Sequence, residues 1–177
     1  MSNDLEFELA TSWISVFGDA LSQANIDTLL SCLEPFCWFR DILVFNSSLQ
    51  TRRGHDAIKA HLQPVLRDAQ ISKVVLDDNP FGRPHASEHG PGHPIAAAAF
   101  DFETPRAFGK GFVRLNYPKD GEVAKAFCVM MMVSDWKGSE EAKNESGLYE
   151  GHNLSWGEVY DQRRAEIEKN LQAIIGA

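Results

Sequence analysis

A charged pair inside an apolar stretch is the feature of this sequence that most constrains how the chain can fold. Arg40 and Asp41 lie between the apolar residues 36–39 and 42–45. Arginine and aspartate are almost never buried unless each finds a partner, because an isolated charge loses its hydration. Two interpretations follow: a structural ion pair that closes one end of a sheet, or the polar end of an apolar ligand pocket.

The size and composition of the chain argue against several classes of protein. Its 177 residues, 44% of them hydrophobic, are typical of a single globular domain. A net charge of −8 without a basic cluster argues against nucleic acid and membranes as partners. The three cysteines lie among apolar residues without a CxxC pair, which indicates reduced core thiols and no metal site. The sequence has neither an apolar signal segment nor a membrane span, so we expect a soluble cytoplasmic protein.

Helical spacing dominates the first part of the chain. Apolar residues recur every three or four positions from Ala10 to Ala24, which predicts a helix of about four turns. Asn25 or Asp27 can cap a second, short helix, and Pro35 is expected to stop it. The sequence therefore predicts two helices before the first strand.

The following residues predict strands around one more helix. A strand is expected over about residues 38–49, and Gly54 opens a helix that Pro64 shortens or kinks. Segments rich in Val, Ile, Phe and Met then predict an antiparallel meander; these segments are 71–77, 95–103, 107–117 and 122–135.

The connecting segments complete this outline. Lys119-Asp120-Gly121 predicts a tight hairpin turn, and residues 79–94, rich in Pro, Gly and His, predict a long loop without regular strands. A final helix is expected from Ser155. Helices followed by a curved antiparallel sheet define an α+β protein with its helices on one face of the sheet.

Several short motifs occur in a fixed order along the chain. They are Trp38-x-Arg40-Asp41, Thr51-Arg-x-Gly54-x-x-x-Ile58, Gly109-x-Gly111-Phe112-x-Arg114-Leu115, Asp120-Gly121, Ala126-Phe127 and Lys137-Gly138-x-Glu140-Glu141. Together they resemble the N-terminal domain of fungal flavin-containing monooxygenase-like proteins, in the SnoaL-like, nuclear transport factor two-like superfamily. The resemblance extends over nearly the whole chain.

The resemblance implies a cone-shaped, cystatin-like α+β barrel over residues 1–154, followed by a C-terminal helix over 155–177. In such a barrel a curved antiparallel sheet wraps around N-terminal helices and leaves an apolar cavity. The superfamily includes polyketide cyclases, dehydratases, ketosteroid isomerases and epoxide hydrolases beside members that only bind or dimerise, so the fold leaves function open. The fused relatives continue into a dinucleotide-binding domain, whereas a flavin or nicotinamide site is not complete within these residues, and we expect no cofactor.

Asp41 is the first candidate catalytic residue. Neighbouring residues of a strand point to opposite faces, so Arg40 and Asp41 cannot both enter the cavity unless a bulge intervenes, and Asp41 is expected inside. A carboxyl group in a dry cavity can act as a general base or acid. In the alternative interpretation, Asp41 pairs with an arginine such as Arg52 or Arg114.

Asp101 and His93 are the other candidate catalytic residues. Asp101 lies in an alanine-rich strand, where it either faces a ligand as a base or faces solvent beside Glu103. His85, His89 and His93 recur every four residues, but the prolines and glycines between them prevent a helical metal site. His93, at the entry to the alanine-rich strand, is retained as a possible acid or base.

Aromatic, methionine and arginine side chains are the candidate ligand-binding groups, because they can wall an apolar or aromatic ligand. They are Trp13, Phe17, Trp38, Arg40, Phe45, Tyr117, Met130, Met132 and Trp136. The first functional hypothesis is a cofactor-free enzyme of fungal secondary metabolism that cyclises, dehydrates or isomerises an apolar polyketide- or terpenoid-like substrate. The alternative is a non-catalytic ligand-binding or dimerisation module, and a regulatory subunit of an oxidoreductase is a third.

Two further expectations concern partners and the cavity. A homodimer through the convex face of the sheet is expected, with residues 107–117 and 122–135 supplying the contact. An enclosed apolar pocket with Asp41 or Asp101 exposed inside would favour the enzyme. An interior filled by side chains, with both acids paired outside it, would favour the module.

Overall fold

The computed structural model describes residues 3–119 and 122–139, together with residues 157, 160, 161, 164 and 165. The chain forms two compact units, Met1–Glu140 and Glu141–Ala177. In the second unit the five described residues are helical, in the region where the sequence predicts a C-terminal helix. The rest of that predicted helix lies outside the described residues.

The first three helices were predicted from the sequence, but the first begins at Asn3 instead of near Ala10, and a fourth, short helix was not predicted. Asn25 caps the second helix, since its side chain accepts a hydrogen bond from Thr28 N at 3.1 Å. Gly54, with a φ of 82°, precedes the third helix, as expected. The bounds are α1 Asn3–Ser22, α2 Ile26–Ser31, α3 His55–Leu62 and α4 Leu66–Ala69. No helix among the described residues is long and apolar enough to cross a membrane.

Seven strands form one curved sheet in the order β2-β1-β7-β6-β5-β3, and β4 also pairs with β5. Their bounds are β1 Leu33–Ile42, β2 Leu49–Arg53, β3 Ser72–Leu76, β4 His85–Glu88, β5 Pro94–Glu103, β6 Ala107–Asn116 and β7 Ala126–Trp136. The four segments predicted as a meander are β3, β5, β6 and β7. The sheet is mixed, because β1 pairs with β7 in parallel while the other pairs are antiparallel.

The predicted strand over 38–49 is in fact two strands joined by a bend. β1 already begins at Leu33 and contains Pro35, where the register with β7 is irregular and a missing N–H is tolerated. The chain then turns at Leu43, whose φ is 66°. Asp41 holds this turn, since its carboxylate accepts a hydrogen bond from Val44 N at 2.9 Å.

Two predicted connections also differ from the structure. Residues 79–94 are not entirely loop, because β4 pairs antiparallel with the first half of β5. Alternation over only four residues was too short a signal to predict this strand. Between β6 and β7, Asp120 and Gly121 lie outside the described residues. Glu122 N donates to Lys119 O at 2.9 Å, but nine residues separate the two strands, so the connection is longer than a tight hairpin.

The inner face of the sheet is filled by aromatic side chains. Trp13 stacks on Phe17 with ring centroids 4.3 Å apart, and Phe17 meets Phe100 edge-on at 6.1 Å. The Phe100 ring lies over Gly111, where an added Cβ would come within 2.1 Å of its Cζ atom. Phe102 lies over Gly109 in the same way. These glycines give the phenyl rings the space that a side chain on β6 would otherwise occupy.

Candidate functional site

Strand alternation places Asp41 on the inner side of the sheet. Cys37, Phe39 and Asp41 are buried, whereas Trp38 and Arg40 between them are exposed. Asp41 is 0% exposed. The structure thus agrees with the expectation that Arg40 and Asp41 face opposite sides and that Asp41 is the inward residue.

The partner of Asp41 is a histidine. His61 Nε2 lies 3.0 Å from Asp41 Oδ2, and the side chains of the two residues are 6% and 0% exposed. The other carboxylate oxygen, Oδ1, accepts hydrogen bonds from Val44 N at 2.9 Å and from Phe45 N at 3.3 Å. The Asp41 carboxylate therefore joins α3 to the bend that follows β1.

The expected arginine partners of Asp41 were wrong. Arg52 donates to the backbone oxygen of Thr51 at 3.3 Å. Arg114 lies on the outer face, with its guanidinium 5.7 Å from the ring centroid of Phe112. His61 was not among the predicted site residues. A titratable residue between the buried Ile58 and Leu62 was the available signal, since such a side chain needs a polar partner inside.

His61 has one ring nitrogen left for other contacts. Nε2 is bound to Asp41, and no described residue forms a hydrogen bond with Nδ1. The imidazole also meets the ring of Phe45 edge-on, with centroids 6.5 Å apart. Phe45 is 7% exposed and packs against Phe39 at 6.2 Å.

Phe45 also lines a cleft of about 750 Å³. Its walls come from residues 43–47, 68–70 and 104–107, with Val133 and Trp136 from β7. Leu43 and Gln70, which both line it, have positive φ values of 66° and 46°. Non-glycine residues held in this conformation cost of order 1 kcal/mol or more and often occur at functional sites. Phe45 and Trp136 are the two predicted ligand-binding residues that meet here.

The structure places Asp101 outside the interior, which corrects its expected position in the cavity. Its side chain is 46% exposed and accepts a hydrogen bond from Lys110 Nζ at 2.9 Å. The register pairs Asp101 with Lys110 across β5 and β6, so both point to the outer face. The solvent-facing alternative stated for Asp101 is the correct one.

The remaining predicted residues do not converge on one pocket. Trp13 and Phe17 belong to the buried core. His93 and Tyr117 line a separate cleft of about 580 Å³. The other four lie on the outer face of β1 and β7; they are Trp38, Arg40, Met130 and Met132.

A second buried carboxyl group lies beside Tyr117. The Tyr117 hydroxyl donates to Glu6 Oε1 at 2.5 Å, which ties α1 to the end of β6. Burial, together with this hydrogen bond, raises the pKa of Tyr117 to about 12. Glu6 is 3% exposed, and among the described buried side-chain atoms its Oε2 is without a hydrogen-bond partner.

The structure places the thiols of Cys32, Cys37 and Cys128 in the core or at its edge. Burial raises the pKa of Cys37 to about 12, and it also raises the pKa of Cys32 and of Cys128. All three are free cysteines. None has the lowered pKa that would mark a nucleophile.

Comparison with known proteins identifies the fold. No protein-family model and no curated protein matches this sequence. An NTF2-like protein of unknown function from Pseudomonas putida superposes with a TM-score of 0.50 at 11% identity, covering 83% of this chain and 99% of that one. A candidate dehydratase of the NTF2-like family from Streptomyces avermitilis gives 0.50 at 12% identity, covering 75% and 98%.

A third solved structure superposes on this chain with a similar TM-score. A candidate aromatic ring hydroxylase from Novosphingobium aromaticivorans has a TM-score of 0.51 at 15% identity, covering 73% of this chain and 90% of that one. The chain therefore has a nuclear transport factor two-like α+β fold, with a curved seven-stranded mixed sheet and few helices. This agrees with the fold class that the sequence motifs predicted.

Proposed function

We propose that this protein is a cofactor-free small-molecule enzyme in which His61 transfers protons and Asp41 orients it. The observation that carries the proposal is the Asp41 carboxylate itself. One of its oxygens binds the His61 ring, and the other binds the backbone of the bend that walls the 750 Å³ cleft. Asp41 is thus a positioning residue in this proposal rather than the base.

The proposed chemistry depends on the His61 imidazole, whose orientation is fixed by the Asp41 carboxylate. When His61 Nε2 donates its hydrogen to Asp41, Nδ1 remains as the proton acceptor. A proton acceptor in apolar surroundings suits abstraction of a hydrogen next to a carbonyl group, which is the first step of many isomerisations, dehydrations and cyclisations. Phe45 contacts both the imidazole and the cleft, so we assign it the role of a gate that moves when substrate enters.

The lining of the cleft defines the substrate class. Leu43, Val44, Phe45 and Val133 supply apolar contacts, and Trp136 adds an exposed aromatic face with a hydrogen-bonding tip. These contacts suit an apolar, ketone-bearing molecule of the polyketide or terpenoid kind. A role in fungal secondary metabolism, and a relation to monooxygenase N-terminal domains, come from the sequence motifs and belong to the proposal. The similarity to a candidate dehydratase supports a lyase reaction.

The second candidate function is a non-catalytic ligand-binding or dimerisation module. The filled interior favours it, because Phe100 and Phe102 occupy the space above Gly111 and Gly109. Asp41 also has all its hydrogen bonds within the fold, as a purely structural carboxylate would.

Hydrogen–deuterium exchange distinguishes the two functions without knowledge of the natural substrate. A panel of aryl and alkyl ketones is incubated with the protein in heavy water, and loss of the hydrogens next to the carbonyl is followed by NMR. We expect the protein to accelerate exchange for a subset of the panel. The His61→Gln variant should lose on the order of 100-fold of that rate, because the proton acceptor is gone.

The matched control is Asp101→Asn, which removes a carboxylate that lies outside the interior. It should leave the exchange rate unchanged. Circular dichroism shows whether the His61→Gln variant is folded. If it is folded and catalyses exchange of the ketone hydrogens as fast as the natural protein does, the acid/base proposal is wrong. Ketone binding that persists without any accelerated exchange would instead support the module.

A further inference from the structure

The outer face of the sheet carries a cluster of arginine, aromatic and methionine side chains. The strand register places these residues in two neighbouring rows across β2, β1, β7 and β6. The first row is Arg53, Trp38, Cys128 and Arg114, and the second is Thr51, Arg40, Met130 and Phe112. We call these two rows the basic outer face.

The arginines of the basic outer face form no ion pair with the acidic side chains that the structure describes. Arg40, Arg53 and Arg114 take part in none of the ion pairs found among the described residues. Arg40 donates to Thr51 Oγ1 at 2.9 Å. Of the described carboxylates near this face, Asp101 is bound to Lys110, and Glu34 accepts a hydrogen bond at 3.1 Å from Asn116, two positions after Arg114 on β6. The face is therefore locally positive although the whole chain has a net charge of −8.

Two of these arginines are held in place by aromatic rings. The guanidinium of Arg53 lies 5.2 Å from the ring centroid of Trp38, and that of Arg114 lies 5.7 Å from the ring centroid of Phe112. A guanidinium stacked on a ring keeps its N–H edges free and oriented, so it loses little entropy when a carboxylate arrives. Trp38 is 48% exposed, which leaves its rim available to an apolar group.

We propose that the basic outer face binds an extended acidic segment of another protein, with carboxylates on either side of an apolar residue. Charge complementarity between the three arginines and the carboxylates of the segment carries the proposal. The screening length of about 8 Å at physiological salt means that an approaching segment senses the local arginines more than the distant acidic surface.

The spacing of the arginines defines the segment. Arg53 and Arg114 lie in one row on strands three positions apart, so their Cα atoms are separated by roughly 14 Å. In an extended peptide, side chains at i and i+4 lie on the same side about 13 Å apart. Acidic residues at i and i+4 therefore match the spacing of the two arginine Cα atoms, and their side chains can reach the guanidinium groups over Trp38 and Phe112. The residue at i+2 lies over Trp38 and Cys128, midway along this row, and should be apolar.

Two other occupants fit the face less well. Bases of single-stranded nucleic acid bind by stacking on free aromatic faces, but here those faces are covered by the protein's own guanidinium groups. A second copy that docks with the same face would gather the arginines Arg40, Arg53 and Arg114 of both copies in one interface. Both occupants are outcomes of the experiment below.

Fluorescence anisotropy with a designed peptide provides the test. The probe is a fluorescein-labelled peptide with Glu at i and i+4, Leu at i+2, and serine and glycine elsewhere. We expect saturable binding that weakens at least ~10-fold when both Glu residues are replaced by Gln. Binding should also weaken as sodium chloride is raised from about 50 mM to about 500 mM.

The variant Arg53→Glu/Arg114→Glu should weaken binding by at least ~10-fold, because attraction becomes repulsion. Its matched control is Arg67→Glu/Lys119→Glu, which changes net charge equally at two exposed positions away from the face and should bind normally. If circular dichroism shows that the first variant is misfolded, Arg53→Gln/Arg114→Gln, which adds no new charge, provides a second variant.

Three results would overturn the proposal. The first is a natural protein that does not bind the peptide, or a control pair that loses binding as much as the test pair. The second is tighter binding of a single-stranded oligonucleotide of similar length. The third is a dimer of the natural protein that the Arg53→Glu/Arg114→Glu variant dissociates, which would assign the face to a second copy.

Discussion

At the scale of the residue, the position of Asp41 connects the chemistry of the site with the stability of the fold. Its carboxylate accepts hydrogen bonds from the backbone of Val44 and Phe45 and binds the ring of His61. No single sequence pattern contains all these residues, since His61 comes 20 positions after Asp41. A buried carboxylate with several partners is costly to disturb, because each partner loses a hydrogen bond that water cannot replace.

The Asp41→Ala variant should therefore be much less stable than its surface counterpart. We expect the free energy of unfolding to fall by about 3 kcal/mol, because three buried groups lose their acceptor. Asp101→Ala, which breaks an exposed ion pair, should change it by only about 0.5 kcal/mol. Urea unfolding followed by tryptophan fluorescence measures both. Similar small losses in the two variants would show that the Asp41 pair contributes little to the fold.

At the scale of the element, pairs of residues on neighbouring elements determine how the helices and strands meet. Phe100 and Phe102 on β5 lie over Gly111 and Gly109 on β6, so the inner face of the sheet is tightly filled. On α1, Glu6 accepts a hydrogen bond from the hydroxyl of Tyr117, which follows the end of β6. The helix is thus held to the sheet by a polar contact as well as by its apolar face.

The Tyr117 contact predicts a pH dependence of stability. The folded state raises the pKa of Tyr117 to about 12 from the ordinary 10.0, so the folded state holds the phenol proton more tightly than the unfolded state. The resulting stability is complete below pH 10.0 and is lost as the pH rises through about 12. The difference in unfolding free energy between the natural protein and Tyr117→Phe should therefore shrink across this range.

Urea unfolding of both proteins at a series of alkaline pH values measures this difference. The Phe variant keeps the ring and cannot ionise at this position, so it corrects for all other titrating groups. A difference that stays constant up to the highest pH at which both proteins fold would contradict the prediction.

At the scale of the whole molecule, we propose that the protein self-associates, but not through the convex face at residues 107–117 and 122–135 that the sequence predicted, because Arg114, Cys128 and Met130 of those segments belong to the basic outer face. Sedimentation velocity should give a species of twice the chain mass of 19.7 kDa. Because the arginines of the basic outer face would repel their equivalents, we expect the Arg53→Glu/Arg114→Glu variant to keep this dimer. A single species of 19.7 kDa at all accessible concentrations would show that the chain is a monomer.

Local patterns were sufficient to predict most elements of the fold. The spacing of apolar residues predicted α1, and the cap at Asn25 and the turn at Gly54 predicted where α2 and α3 begin. The strand β4 and the parallel pairing of β1 with β7 were missed. Parallel pairing depends on residues about 90 positions apart, and no local preference distinguishes it from antiparallel pairing.

The candidate site shows the same division between sequence and tertiary structure. The alternation of β1 was enough to place Asp41 inside and Arg40 outside, since strand geometry is a local property. The choice of His61 over an arginine as the partner of Asp41 required the packing of α3 against β1. The side on which Asp101 lies was likewise decided by its pairing with Lys110 across two strands.

The sequence by itself thus determined the α+β class, the helices α1 to α3 and the inward direction of Asp41, because each depends on contacts within a few residues. Only the tertiary structure decided that Asp41 binds His61, that aromatic rings fill the inner face, and that three arginines gather on the outer face. These features arise between segments far apart in the chain. Their free energies depend on burial and register, which exist only once the sheet has formed.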